Sequence, residues 1–215
     1  MDEIIHQVFA LGRIQPQGIQ FLGTCFTVAT DGRLATANHV LGNNAQNLVI
    51  ALPKINSFND YQDTTNNRFE VVPLDIVEVD PTRDIAILKI RDASTKFVTP
   101  IGSLDEIKIG ENLEIYGFPH CPDGRNVLTF QATTLGAKIL LESSSIKSKH
   151  AVLNVQARPG QSGSMVLSRE TGRISGILIG AYIPGGGAVI IGNVNPSAIH
   201  QTTHIISAHY IRDML

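Results

Sequence analysis

Apolar residues in this chain fall into short dense blocks separated by glycine, asparagine, aspartate or proline, and they rarely recur at the spacing of an amphipathic helix. The block at 18–29 leads into Asp31-Gly32, a hairpin turn signal, and an extended run resumes at Arg33–Ala37. Further strands are expected at 47–52, 69–79 and 85–90, with a polar loop over 56–68. After a connection at 100–110, a second set is expected at 112–117, 127–133, 137–141, 151–156, 164–167, 174–182, 188–191 and 203–207. Many short strands at roughly 8–12-residue spacing predict a sandwich or barrel architecture. Residues 210–215 predict a short helix that packs Ile211 and Leu215 inward.

One stretch competes with this reading. Residues 174–199 carry no charge and are long enough to cross a bilayer as a helix. Their glycines and the central Pro184-Gly185-Gly186-Gly187 would break that helix, whereas two apolar runs around a Pro-Gly turn make a β-hairpin. No membrane span is expected.

Composition narrows the class. With 215 residues, 43% hydrophobic and 17% charged, the chain is expected to fold as one all-β domain. A net charge of -2, with no cluster of Lys and Arg, gives no footprint for nucleic acid. Cys25 and Cys121 are too few for a disulfide framework or a four-ligand zinc site and point to a reducing compartment. The acidic start Met1-Asp2-Glu3 lacks the basic region of an export signal, so a cytoplasmic location is expected. His120-Cys121 supplies too few ligands for a metal, and Asn59, Asp60, Asp63 and Asn67 match no calcium loop. No metal site is expected.

The chemistry concentrates in Gly160-Gln161-Ser162-Gly163-Ser164, a hydroxyl nucleophile inside a glycine-rich turn. A serine hydroxyl is a poor nucleophile near neutrality, so it needs a base, and the base needs an orienting partner. His39, in Thr36-Ala37-Asn38-His39-Val40, suits the base, because a free imidazole takes and returns protons near neutral pH. Asp84, abutting the apolar Ile85-Ala86-Ile87-Leu88, suits the orienting carboxylate, with Asp80 as its rival. Ser162 is favoured over Ser164, since only that register puts a glycine amide two residues upstream. The backbone N–H groups of Gly160 and Ser162 are then the candidate oxyanion donors.

These motifs, taken in order, resemble the trypsin-like, chymotrypsin-fold serine peptidases, nearer to bacterial HtrA-type and glutamyl-endopeptidase-type members than to digestive trypsins, and without a PDZ module. Phe21 to Val28 followed by Thr36 to Val40 is similar to the family's first hairpin and histidine motif. Asp80 to Ile90 is similar to its aspartate strand, Tyr116-Gly117-Phe118-Pro119 to the start of its second barrel, and Arg158 to Val166 to its nucleophile loop. The resemblance implies two antiparallel six-stranded β-barrels, at about 18–95 and 108–207, and a short C-terminal helix at about 208–215. It implies a serine endopeptidase that acts on protein or peptide substrates through His39, Asp84 and Ser162 and requires no cofactor. The alternative is a silent or partner-activated module on the same fold, so a regulatory protein or a homo-oligomer remains open.

Departures from the family pattern sharpen these expectations. Gln161 stands where digestive members carry the aspartate that pairs with a newly cleaved N-terminus, which removes that mode of activation. Val40 stands where many secreted relatives have a cysteine, so Cys25 lacks the partner it would have there. By analogy the specificity pocket is lined by Gln156, Ile179, Gly180, Ala181 and His204, and Gln156 at its base argues against a preference for Arg or Lys.

Overall fold

Strand β6 (Ile85–Ile90) explains why the apolar blocks are dense rather than alternating. Successive side chains leave a strand on opposite faces, and here both faces are covered. Ile85 and Ile87 enter a cluster shared between two barrels, while Ala86 and Leu88 fill the interior of the first. The computed structural model describes residues 2–42, 44–95, 97–182 and 202–215.

The first barrel comprises β1 (Val8–Gln15), β2 (Gly18–Thr27), β3 (Arg33–Ala37), β4 (Leu48–Ala51), β5 (Val71–Asp80) and β6. It runs β1-β2-β3-β6-β5-β4 and closes by pairing β1 with β4. The second comprises β7 (Asn112–Gly117), β8 (Thr129–Ser143), β9 (Ile146–Leu153), β10 (Met165–Ser168), β11 (Ile174–Tyr182) and β12 (Thr202–Ser207). It runs β10-β11-β12-β9-β8-β7 and closes by pairing β10 with β7. One helical turn, α1 (Asn38–Leu41), follows β3. Two interior clusters, around Leu34 and Ile50 and around Ile115 and Leu178, flank the seam cluster that contains Phe26, Tyr116, Met165, Ile177 and Ile206.

Several boundaries differ from expectation for physical reasons. The first barrel begins at Val8, ahead of the expected residue 18, because Val8 and Ala10 face the seam while Phe9 and Leu11 face the interior. Strand β8 joins the expected 127–133 and 137–141 into one ladder, whose register shifts between Leu135 and Ala137. The bulge falls at Gly136, where a Cβ would meet Asn154 Oδ1 at 2.7 Å. Strand β9 starts at Ile146 because Ser144 and Ser145, at φ 51° and 64°, make a tight hairpin turn.

The C-terminal helix is a 3-10 helix, Ala208–Met214. At three residues per turn it buries Ile211 and Met214 together and leaves Leu215 exposed, correcting the expected inward Leu215. Residues 174–182 form β11, while the expected turn at Pro184 to Gly187 and strand at 188–191 lie outside the described residues. Among the described residues no helix is long and apolar enough to cross a membrane.

Candidate functional site

Asp84 directly precedes β6 with φ 58°, a left-handed conformation that aspartate tolerates better than most residues. That backbone turn aims its carboxylate at α1. Oδ1 accepts the His39 backbone N–H at 2.7 Å, Oδ2 pairs with His39 Nδ1 at 2.6 Å, and the Asp84 carbonyl accepts the Asn38 N–H at 3.0 Å. A carboxylate on Nδ1 fixes the tautomer that leaves Nε2 free to accept a proton. The rival Asp80 is spent on its own turn, accepting from Thr82 and Arg83 N–H and pairing with the Arg83 guanidinium at 2.7 Å.

Ser162 sits in a turn closed by Gln161 N–H to the Arg158 carbonyl and Ser164 N–H to the Gln161 carbonyl. The turn is fastened to both barrels. The Ser162 carbonyl accepts Thr24 N–H from β2 at 2.9 Å, and Gly163 N–H donates to the Leu178 carbonyl of β11 at 2.7 Å. Gly160 and Gly163 have φ 88° and 85°, and a Cβ at Gly160 would lie 2.5 Å from the Phe118 carbonyl. Ser164 Oγ, by contrast, is fully buried against Gly117, which leaves Ser162 as the accessible hydroxyl of the pair.

The candidate oxyanion donors make no bond to any described group. The Pro159 carbonyl accepts His120 N–H at 2.6 Å, and in a trans peptide this turns the Gly160 N–H the opposite way. Among the described residues neither Gly160 N–H nor Ser162 N–H is bonded to another group. Gln161 is buried and caps the same turn. Its Oε1 accepts Arg158 N–H at 2.8 Å, and its Nε2 donates to Gln131 Oε1 on β8 at 3.0 Å. These two hydrogen bonds fasten the turn from inside.

Two contributors escaped sequence reasoning. Thr24 donates its hydroxyl to the Gly160 carbonyl at 2.9 Å and accepts Phe118 N–H at 3.1 Å, tying the first barrel to the Gly160–Ser164 turn. Its only signal was a hydroxyl inside the apolar block from Phe21 to Val28. His120, read only as a weak metal ligand, acts through its backbone at φ 63°. No group of three or more metal-ligating side chains occurs among the described residues. Cys25 and Cys121 are free and buried, and burial raises both thiols, Cys121 to about 12.

The expected pocket residues lie on three segments. A Cβ on Gly180 would stand 4.0 Å from Ser162 Oγ, so β11 passes beside Ser162. Gly180 pairs with His204 and Ala181 with Thr203 across the β11–β12 ladder. Gln156 is exposed, and the neighbouring Val155 carbonyl and Ala157 N–H are both held by the Thr203 hydroxyl. Burial lowers the pKa of His204, and burial followed by the nearby His204 lowers that of His150. Ser162 Oγ donates to the Ile179 carbonyl at 3.1 Å, so the hydroxyl rests on β11.

Comparison with known proteins agrees with the two-barrel fold. The MamO protease domain from Magnetospirillum magneticum superposes with TM-score 0.68 at 15% identity, over 99% of this chain and 97% of that one. The Rv3671c protease from M. tuberculosis, active form, gives TM-score 0.69 at 17% identity, over 98% and 80%. The HtrA-type protease AlgW with decapeptide gives 0.71 at 16%, over 100% of this chain and 66% of that one. No curated protein matches the chain in sequence. The model of the trypsin-like peptidase domain matches residues 23–177, well over half of the 215, and the chain belongs to that family.

Proposed function

We propose that this chain is a serine endopeptidase that hydrolyses peptide bonds of protein substrates through an acyl-enzyme. The observation that carries the reading is the double hold of Asp84 on His39, at the backbone N–H and at Nδ1, in a chain whose Ser162 is the accessible hydroxyl of a turn fastened to both barrels. Ser162 Oγ attacks the scissile carbonyl, and His39 Nε2 takes its proton and returns it to the leaving amine. Asp84 stabilises the imidazolium, and Gly160 and Ser162 N–H receive the oxyanion. Water then attacks the acyl-enzyme by the same route in reverse. No step needs a cofactor.

The bond from Ser162 Oγ to the Ile179 carbonyl favours a resting form of this enzyme. Attack requires the hydroxyl to leave that carbonyl and give its proton to His39, and substrate or a regulatory partner would supply the bias.

A fluorophosphonate probe tests the reading directly. Wild type is expected to label at Ser162 and to cleave a denatured protein substrate, and Ser162→Ala to do neither. Absence of labelling in folded wild type, with and without substrate, would sink it.

Thr24→Val removes one hydroxyl at nearly constant volume and leaves the Gly160 carbonyl and Phe118 N–H without their partner. Each buried orphan costs about 1–3 kcal/mol. Since the loss falls on the oxyanion turn, kcat is expected to drop about 10- to 100-fold, with KM little changed. Thr24→Ser should restore most of it. A fall confined to KM, or no rescue by serine, would show that Thr24 does not hold the turn.

A further inference from the structure

A second cleft lies beside the oxyanion turn, outside the residues assigned to proton transfer. It encloses about 370 Å3 and is lined in part by His120, Arg125, Phe130, Gln131, Arg158 and Gln161. Its lining includes two arginines and a histidine and no carboxylate. Among the described residues neither guanidinium has a carboxylate within ion-pair distance. Asp123, the nearby acid, stands 3.3 Å from His120 Nδ1, with its own side chain turned largely to solvent.

The walls of this cleft are also the supports of the oxyanion turn. His120 N–H holds the Pro159 carbonyl, and Gln161 joins Arg158 N–H to Gln131 on β8. A group bound in this cleft would therefore sit against His120, whose N–H holds the Pro159 carbonyl, and Gln161, which closes the turn. Two planar guanidinium forks with no acceptor among the described residues suit a carboxylate, and the half-exposed Phe130 ring offers an apolar surface in the same cleft.

We infer that this cleft binds a carboxylate carried on a peptide, and that the bound carboxylate sets the geometry of the oxyanion turn. Its catalytic consequence rests on the peptidase reading above; the binding itself does not. The peptide is either the substrate's own chain, reaching past Ser162, or a second acidic segment.

The probe is a fluorescein-labelled peptide amide, Gly-Gly-Glu-Phe-Gly-Gly, with its Gln counterpart, titrated by anisotropy into Ser162→Ala so that nothing is cleaved. The Glu peptide is expected to bind about 10-fold tighter than the Gln peptide, the scale of a lost charge-assisted hydrogen bond. Arg125→Gln and Arg158→Gln should each erase most of that preference, and added salt should weaken it. Arg125 lies outside the nucleophile turn, so its variant carries the test even if Arg158→Gln folds poorly. Equal binding of the two peptides, or a preference that survives Arg125→Gln, overturns the site.

The unlabelled Glu peptide is then added to wild type during fluorophosphonate labelling. Slower labelling identifies the substrate's own chain crossing the nucleophile, and faster labelling identifies a separate ligand that orders the turn. An unchanged rate at saturation overturns the coupling. Failure of the peptidase reading looks different: binding would persist while Ser162 never labels.

Discussion

Asp84→Asn is expected to lower kcat by about four orders of magnitude, the scale seen when the orienting acid of such a triad is made an amide, while the protein folds normally. The carboxylate offers an acceptor to each of two donors, the His39 backbone N–H at 2.7 Å and Nδ1 at 2.6 Å. Asparagine can satisfy only one with its oxygen. If that oxygen stays on the backbone N–H, the amide NH2 faces Nδ1 and forces it to accept. The ring proton then moves to Nε2, which can no longer take the proton of Ser162. Folding should survive because asparagine tolerates the left-handed φ of 58° as aspartate does. The checks are kcat on a peptide substrate and the imidazole nitrogen shifts of labelled His39. Activity within 10-fold of wild type, with the ring still protonated at Nδ1, would remove Asp84 from the mechanism.

The seam between barrels explains which strands were legible from residue order. Strands β2, β3, β6 and β7 are apolar blocks bounded by glycine or aspartate, and their ends fall close to the expected ones. Strand β1 escaped because no glycine, proline or aspartate separates Val8 to Leu11 from the preceding Ile4 and Ile5, so no turn signal marks its start. The β8–β9 hairpin was misjudged for a different reason. It stands out from the barrel with both faces partly wet, so Leu140, Leu141 and Ile146 are exposed and give no buried face to read.

The site divides along a similar line. Residues whose chemistry depends on side-chain type, His39, Asp84 and Ser162, could be named from motif and order. Work done by backbone groups could not. The His120 N–H that turns the Pro159–Gly160 peptide, the Ile179 carbonyl that holds the Ser162 hydroxyl, and the Thr24 bridge all depend on segments distant in sequence. Gln161 lies between these cases. Its identity ruled out an ion pair with a cleaved N-terminus, but only the fold reveals the two hydrogen bonds it makes.

Gly163→Ala should be the most destabilising single methyl that can be added to the nucleophile turn. A Cβ there would lie 2.0 Å from the Thr24 carbonyl and 2.4 Å from Thr36 Oγ1, at a φ of 85°. Neither neighbour can yield easily, because the Thr36 hydroxyl donates to that same carbonyl at 2.7 Å and Thr24 N–H is tied to the Ser162 carbonyl. Gly163 cannot retreat either, since its N–H is held by the Leu178 carbonyl on the other barrel. The expected loss exceeds about 4 kcal/mol, a large share of the 5–15 kcal/mol typical of a domain. Gly172→Ala is the control, with a φ of 65° and nothing within 4 Å of the added Cβ. It should cost only the left-handed penalty of about 1–2 kcal/mol. Urea unfolding of both variants in a Ser162→Ala background, where self-cleavage cannot distort the curves, separates crowding from backbone strain. Were Gly163→Ala no worse than Gly172→Ala, the nucleophile turn would be far looser than its clamp between the barrels requires.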